Sequence, residues 1–304
     1  MNKMIYFIFS IFLISSILNA EELTIVYTNS LNGQFDSCKC KKNPHGGLVK
    51  RATVLKELRK KYSQVILLES GDFFHYEKDM LLSRYLVRAY KKLNYDAITP
   101  GDQELSVGVE NFIKYKRALP LICNNLVVKI NGRFVRPFKR YKIIKRGNIK
   151  IGIIGSISPR AFRYSTKKIR SRIRVLNQVA SIKKDVAALK RQGVHLIILL
   201  SHSGFARDKL LIRNISGLDV IVGGHSQTLL KRPYRYGKAV IIQAGVYGAR
   251  IGILRLNING RKIKLNGNSF RLPTYLYPSD DKEIRKLIEK YKQEIKSDTS
   301  VRFQ

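Results

Sequence analysis

The longer apolar runs of this chain share one feature: each stops at a short polar tip that contains glycine. VILLE runs into SGD (70–72), AIT into PGDQE (100–104), LIILL into SHSG (201–204) and VIV into GGHSQ (223–227). Short continuous apolar runs of this kind read as strands covered on both faces. Glycine at the tip lets the backbone turn sharply or approach an ion closely. Between the runs, GGLVKRATVLKELRKKY (46–62) carries Leu48, Ala52, Leu55 and Leu58 at near-helical spacing. Helices are expected also over 78–93 and 175–192, with an amphipathic C-terminal helix over 280–297. Further strands are expected over 23–28, 118–127, 141–148 and 149–158, and a hairpin over 238–260. Strands alternating with helices, with polar groups gathered at their carboxyl ends, predict an α/β layered fold with one crevice. No linker is visible, so residues 21–304 read as a single domain.

Four tips carry groups able to bind a metal: Asp72, Asp102, His202, and His225 together with Gln227. Taken singly, an aspartate here caps a helix and a lone histidine is structural. Gathered in one crevice, two carboxylates and two imidazoles suit Zn²⁺, Mn²⁺ or Fe. Such an ion would polarise a substrate oxygen and lower the pKa of a bound water. His45 and His195 lack a strand-tip context and receive no role; His75 is expected in core or loop.

Residues 1–20, MNKMIYFIFSIFLISSILNA, place one early lysine before an apolar centre and a small residue before Glu21. That is the layout of a cleaved secretory signal peptide, and its core is shorter than the roughly 20 residues that span a bilayer. The mature chain is therefore expected to be periplasmic or secreted, without a transmembrane segment. Lys and Arg number 58 against 21 Asp and Glu, a formal charge of +37. From Asn111 to Lys184 there are 21 basic residues and no carboxylate. Two readings stand: an electrostatic surface for small anionic substrates or an anionic envelope, or a basic bias without function. No aromatic-interleaved pattern points to specific nucleic-acid binding. Three cysteines do not make a disulfide framework, and a bond between Cys38 and Cys40, two residues apart, is expected to be strained. Cys123 reads as a small buried residue.

The order of these motifs resembles the metallophosphoesterase (calcineurin-like) domain of the periplasmic 5′-nucleotidase family, over roughly residues 23–297. That family reads T-N-D-x-H-G, G-G, G-D, G-N-H-E, S-H, G-H-S-Q and Q-A-G-x-x-G. Here these stand as TNSLNG (28–33), GG (46–47), GD (71–72), GDQE (101–104), SH (201–202), GGHSQ (223–227) and QAGVYG (243–248). The resemblance implies a four-layered α/β/β/α sandwich of the metallo-dependent phosphatase type, with one or two divalent metal ions. It implies that Asp72 bridges two metals, that Asp102, His202 and His225 complete one site, and that Gln227 belongs to the other. It also shows departures. The family's aspartate and histidine stand as Ser30 and Asn32, and its catalytic histidine as Gln103, which can hydrogen-bond but cannot act as an acid. The chain stops after its C-terminal helix, where the nucleotidases continue into a second, base-clamping domain.

The altered loop continues into DSCKC. Cys38 and Cys40 could add thiolate ligands to the first site, form a redox or sulfur-handling pair favoured by Lys39, Lys41 and Lys42, or be incidental. The reading reached is an exported, metal-dependent phosphate-ester hydrolase, 5′-nucleotidase-like, with an eroded first metal site. Its active groups would be Asp102 and Gln103, with Arg160 or Arg163 offsetting substrate charge. The alternative is a redox- or sulfur-handling or non-catalytic metal-binding descendant, thiosulfohydrolase-like chemistry included.

Overall fold

The computed structural model describes residues 20–38, 40–41, 45–266 and 270–302. All but the last residue of the expected leader, 1–20, lies outside them, as do Lys39 and Lys42. Two six-stranded sheets form the body. The first runs Lys262–Leu265, Arg250–Asn259, Glu21–Thr28, Val65–Glu69, Ala97–Ile98, with Phe270–Pro273 also on Arg250–Asn259. The second runs Tyr234–Tyr236, Ala239–Ile242, Val220–Gly223, Leu196–His202, Ile149–Ile157, Tyr141–Arg146.

Side-chain alternation assigns the layers. Leu23, Ile25, Tyr27, Ile66 and Leu68 of the first sheet meet Ile151, Ile153, Ile198, Leu200 and Val222 of the second in one core between the sheets. The opposite register, Val26 and Leu67, faces helices Gly47–Lys61, Met80–Leu93 and Lys282–Arg302 through Leu55, Leu86 and Ile284. On the far side, Ile197, Leu199 and Ile221 face helices Gln178–Arg191 and Phe205–Asn214 through Ile182, Leu189 and Leu211. Strands buried on both faces need no polar alternation, which is why they read as unbroken apolar runs. The result is the α/β/β/α sandwich expected from the motifs. Each fully buried Leu or Ile in these cores contributes about 1.5–3 kcal/mol, so a charge placed at Leu200 would break the central layer.

Local chemistry sets the helix starts. Asp79 accepts from the Leu82 amide at 2.8 Å and Asn177 from the Ala180 amide at 3.0 Å, each satisfying an orphan N–H. Asn94 ends the second helix in the left-handed region, at φ 52°. Among the described residues no helix is long and apolar enough to cross a membrane.

Two expectations need correction. Residues 238–260 are not a hairpin: Ala239–Ile242 pairs parallel to Val220–Gly223 in the second sheet, while Arg250–Asn259 pairs antiparallel to Glu21–Thr28 in the first. QAGVYG is therefore the crossover between sheets, and two adjacent apolar runs cannot reveal which sheet each joins. Within 118–127, Leu121 and Ile122 make only isolated bridges, and the strand begins at Leu126. That strand belongs to a small third sheet, Arg133–Val135, Leu126–Ile130, Ile173–Val175, which the sequence reading missed along with helix Phe205–Asn214.

Candidate metal centre

Asp72 lies three residues beyond strand Val65–Glu69 and Asp102 four beyond Ala97–Ile98; His202 ends Leu196–His202, and His225 lies two beyond Val220–Gly223. Two neighbouring strands in each sheet thus deliver one residue apiece to the same crevice. Their ligand atoms all lie within 4.8 Å of one another. His202 Nε2 is 3.3 Å from Asp72 Oδ2 and 3.2 Å from Asp102 Oδ1, and His225 Nδ1 is 3.3 Å from Asp102 Oδ1.

His202 is fully buried, and its Nδ1 is 2.7 Å from the Ser70 carbonyl. A carbonyl only accepts, so Nδ1 carries the proton and Nε2 is the atom offered to the carboxylates. This is the outer hydrogen bond that orients a metal-ligating imidazole. Burial alone would lower this imidazole, but Asp72 and Asp102 outweigh it and hold His202 well above its ordinary value. Burial likewise opposes ionisation of Asp102, yet hydrogen bonds from His202 and His225 hold it well below the carboxylate range. With no cation, the cluster keeps a proton as its positive charge. A divalent ion would take over that role and release the proton. The donor set, its spacing and the oriented imidazole fit such an ion.

The sequence reading passed over Glu104, the last residue of GDQE. This buried carboxylate accepts from the amides of Asp72 (3.0 Å), Phe73 (2.7 Å), Phe74 (2.9 Å) and Gly101 (2.5 Å), tying the two carboxylate-bearing loops together. Burial and the Asp72 charge push it up to about 8, while these N–H donors pull it down. A carboxylate beside a glycine-aspartate pair, in a chain with so few acids, was the available signal. A Cβ on Gly101 would collide with Asp72 Oδ1 and the His202 ring, so the close approach requires glycine. Beneath the site lies a second unforeseen group: fully buried Arg51 pairs with fully buried Glu69 at 3.0 Å. Glu69 in turn accepts from the Ser70 amide at 3.1 Å.

Ser30 and Asn32 face the same loop. Their amides donate to the carbonyls of Gly71 (2.9 Å) and Asp72 (2.8 Å). Asn29 staples this segment to the crossover: its side chain donates to the Gly245 carbonyl at 2.6 Å and accepts from the Ala244 amide at 2.9 Å. The Tyr247 amide adds a bond to the Ser30 carbonyl at 2.8 Å. Among the described residues eight non-glycine residues have positive φ, and six are here: Ser30, Asn32, Asp72, His225, Gln227 and Tyr247. Each costs about 1–3 kcal/mol and persists where the surroundings over-determine it. Asn32 Oδ1 and Gln103 Oε1 are buried and have no hydrogen-bond partner. Buried polar atoms are rarely left so, and both are available to an occupant of the crevice. The Gln103 amide donates to Asp72 Oδ1 at 3.3 Å, whereas Gln227 is exposed at the turn after His225.

Cys38 and Cys40 are not members of the four-residue cluster; they form a disulfide. Their Cα atoms are 5.3 Å apart, a separation that a disulfide accepts. Cys123 is buried as expected. His195 is structural, its Nδ1 accepting from the Lys150 amide at 2.9 Å. His75 sits in the loop after Asp72, and the His45 ring lies 6.2 Å from that of Tyr247. Arg160 and Arg163 are exposed on the turn Pro159–Tyr164, next to Ser158, whose amide donates to the His202 carbonyl at 3.0 Å.

No protein-family model matches the chain. The chain is 31% identical over 316 residues to the snake venom 5′-nucleotidase of Gloydius brevicauda, a match covering 89% of this chain and 51% of the relative. Among solved structures it superposes on a 5′-nucleotidase precursor from Thermus thermophilus with TM-score 0.78 and 23% identity, over 91% of this chain and 59% of that one. It superposes as well on the sulfate thiohydrolase SoxB of Thermus thermophilus, with TM-score 0.77 and 18% identity, over 88% of this chain and 60% of that one. The structural likenesses speak for the fold. The chain spans about half the length of the curated relatives it matches. Along most of its length the chain is thus similar in sequence to 5′-nucleotidases, and it shares their sandwich fold.

Proposed function

We propose that the chain is a metal-dependent hydrolase of small phosphate esters, 5′-nucleotidase-like, built around one complete metal site. The observation that carries this reading is the cluster of Asp72, Asp102, His202 and His225, with ligand atoms within 4.8 Å and His202 oriented by Ser70. When bound, Zn²⁺, Mn²⁺ or Fe polarises a phosphoryl oxygen and lowers the pKa of a coordinated water. Ser30, Asn32 and Gln227 are an eroded first site: neutral oxygen donors replace the charged pair, so a second ion is held weakly or not at all. The unpaired oxygens of Asn32 and Gln103 instead accept hydrogen bonds from substrate or water in the crevice. The exposed guanidinium groups of Arg160 and Arg163 offset substrate charge from the rim.

Gln103 cannot act as an acid, so the leaving oxygen departs without a proton supplied from that position. Rates on phosphate esters then fall steeply as the leaving group becomes more basic, with aryl phosphates turned over better than ribose 5′-phosphates. The protein acts after export as a periplasmic or secreted enzyme, and its net charge of +37 favours small anionic substrates and an anionic envelope surface. A redox- or sulfur-handling descendant is the second reading. It is favoured by the Cys38–Cys40 pair on the very loop that carries Ser30 and Asn32. Elemental analysis of the purified protein, with a panel of phosphate mono- and diesters, tests the first reading. One equivalent of metal, lost in Asp72→Ala together with hydrolysis, supports it; no metal after reconstitution with Mn²⁺ or Zn²⁺ sinks it.

A further inference from the structure

The disulfide on the loop beside the crevice has no evident structural task. It joins residues two apart, so it closes almost no chain and constrains the unfolded state very little. The loop is held by other means. Cys38 exchanges both backbone hydrogen bonds with His45, at 2.9 and 3.1 Å. Asp36 binds Arg285 at 2.8 Å and Lys292 at 2.7 Å on the C-terminal helix. The two sulfurs are also unequal. Cys40 is exposed and Cys38 half-buried, and the Cys40 amide lies 3.1 Å from Cys38 Sγ, where its N–H stabilises negative charge on that sulfur. Lys39, Lys41 and Lys42 surround the pair in sequence.

We propose that Cys38–Cys40 is a thiol–disulfide exchange site for a dithiol reductant, with Cys40 the sulfur attacked and Cys38 the leaving thiolate. A reductant thiolate attacks Cys40 Sγ. The new S–S bond forms as the Cys38–Cys40 bond breaks, and the electron pair leaves on Cys38, opposite the Cys40 amide. The second thiolate of the reductant then attacks its own sulfur in the mixed disulfide, releasing Cys40. The reductant ends as a disulfide, having given two electrons, and its two protons pass to Cys38 and Cys40 as pH allows. The leaving thiolate is the better stabilised one, which favours this direction of attack. Cys123 does not compete: it is fully buried, and burial pushes its thiol up to about 11. The inference rests on the redox reading of this pair and deepens it, and it stands apart from the hydrolase reading, because it needs no metal and no ester.

The test uses the native oxidised protein and reads sulfur chemistry alone. Dithiothreitol is added without denaturant, thiols are trapped with an alkylating reagent, and intact mass is measured; two labels are expected. In a second arm the monothiol glutathione is added, the mixture is quenched with acid and alkylated, and the modified cysteine is mapped by fragmentation. Glutathione is expected on Cys40, with the alkyl group on Cys38, in at least about tenfold excess over the reverse arrangement. A Cys123→Ala variant gives the same two labels, showing which pair reports. Labels that appear only after unfolding overturn the exchange site, and so does a protein whose native Cys38 and Cys40 are already thiols under air. Glutathione found equally on both sulfurs, or mainly on Cys38, overturns the assigned direction.

Discussion

The two halves of the crevice differ in chemistry but not in backbone. One half keeps four ionisable groups, Asp72, Asp102, His202 and His225, drawn together within 4.8 Å. The other presents Ser30, Asn32, Gln103 and Gln227, none of which carries charge. Yet Ser30 (φ 49°) and Asn32 (φ 52°) hold the same left-handed conformation as Asp72 (φ 60°) and His225 (φ 66°). The left-handed loop geometry is thus the same whether the tip residue is charged or neutral. What sustains it is the network around Asn29, Glu104 and the Gly71 and Asp72 carbonyls, which does not depend on the identity of residues 30 and 32. Ligand chemistry and loop geometry are separable here: one rests on side chains at the tips, the other on buried hydrogen bonds behind them.

The largest expected effect tests the charged half. Asp72→Ala removes a carboxylate that faces His202 and should lower kcat/KM for a phosphate ester by about 10³-fold or more, since a bound ion supplies several kcal/mol of transition-state stabilisation. Metal content measured beside the rate checks it. Unchanged metal and rate would show that the charged half is not the active one.

Next comes the scaffold. Glu104→Gln keeps shape but replaces an acceptor of four amides with a group that has only one acceptor oxygen. It should cost about 1–3 kcal/mol of stability by denaturant titration and about 10–100-fold in metal affinity. Loss of stability with affinity intact would show that the loops are set independently of the ligands.

Charging the neutral half is the sharper but smaller test. Ser30→Asp combined with Asn32→His places charged donors on a backbone already bent for them. A second equivalent of metal and a gain of about tenfold in rate are expected. A double variant that still binds one ion would mean that residues 30 and 32 no longer face a metal position.

The smallest effect concerns the latch behind the CxC loop. Burial alone would raise the Asp36 carboxyl, but Arg285 and Lys292 outweigh it and hold it at about 2, against 3.8 ordinarily. A depressed folded-state pKa contributes stability that is present above about pH 4 and lost as pH falls through 2. Because the Asp36 side chain remains 30% exposed to solvent, the screened contribution is about 1 kcal/mol. The stability difference between the wild type and Asp36→Asn should therefore be flat from about pH 5 to 8 and shrink towards zero below about pH 4. A gap that stays constant down to about pH 2 would rule out the latch.

The sequence by itself determined most strands of the two large sheets, most helices and the four charged tips. Their signals are local: an apolar run covered on both faces, a glycine beside a ligand at the run's end, Leu48, Ala52, Leu55 and Leu58 at helical spacing. The order of the motifs carried the likeness to 5′-nucleotidases as well. What only the tertiary structure decided depends on neighbours distant in the chain. Ala239–Ile242 and Arg250–Asn259 read as one hairpin because adjacency in sequence says nothing about which sheet offers the better edge. Glu104 and Arg51 looked like ordinary polar residues until folding removed the water around them, when a buried charge must find its donors or its partner. The pairing of Cys38 with Cys40 likewise turns on the approach of two Cα atoms, a distance that composition and spacing leave free.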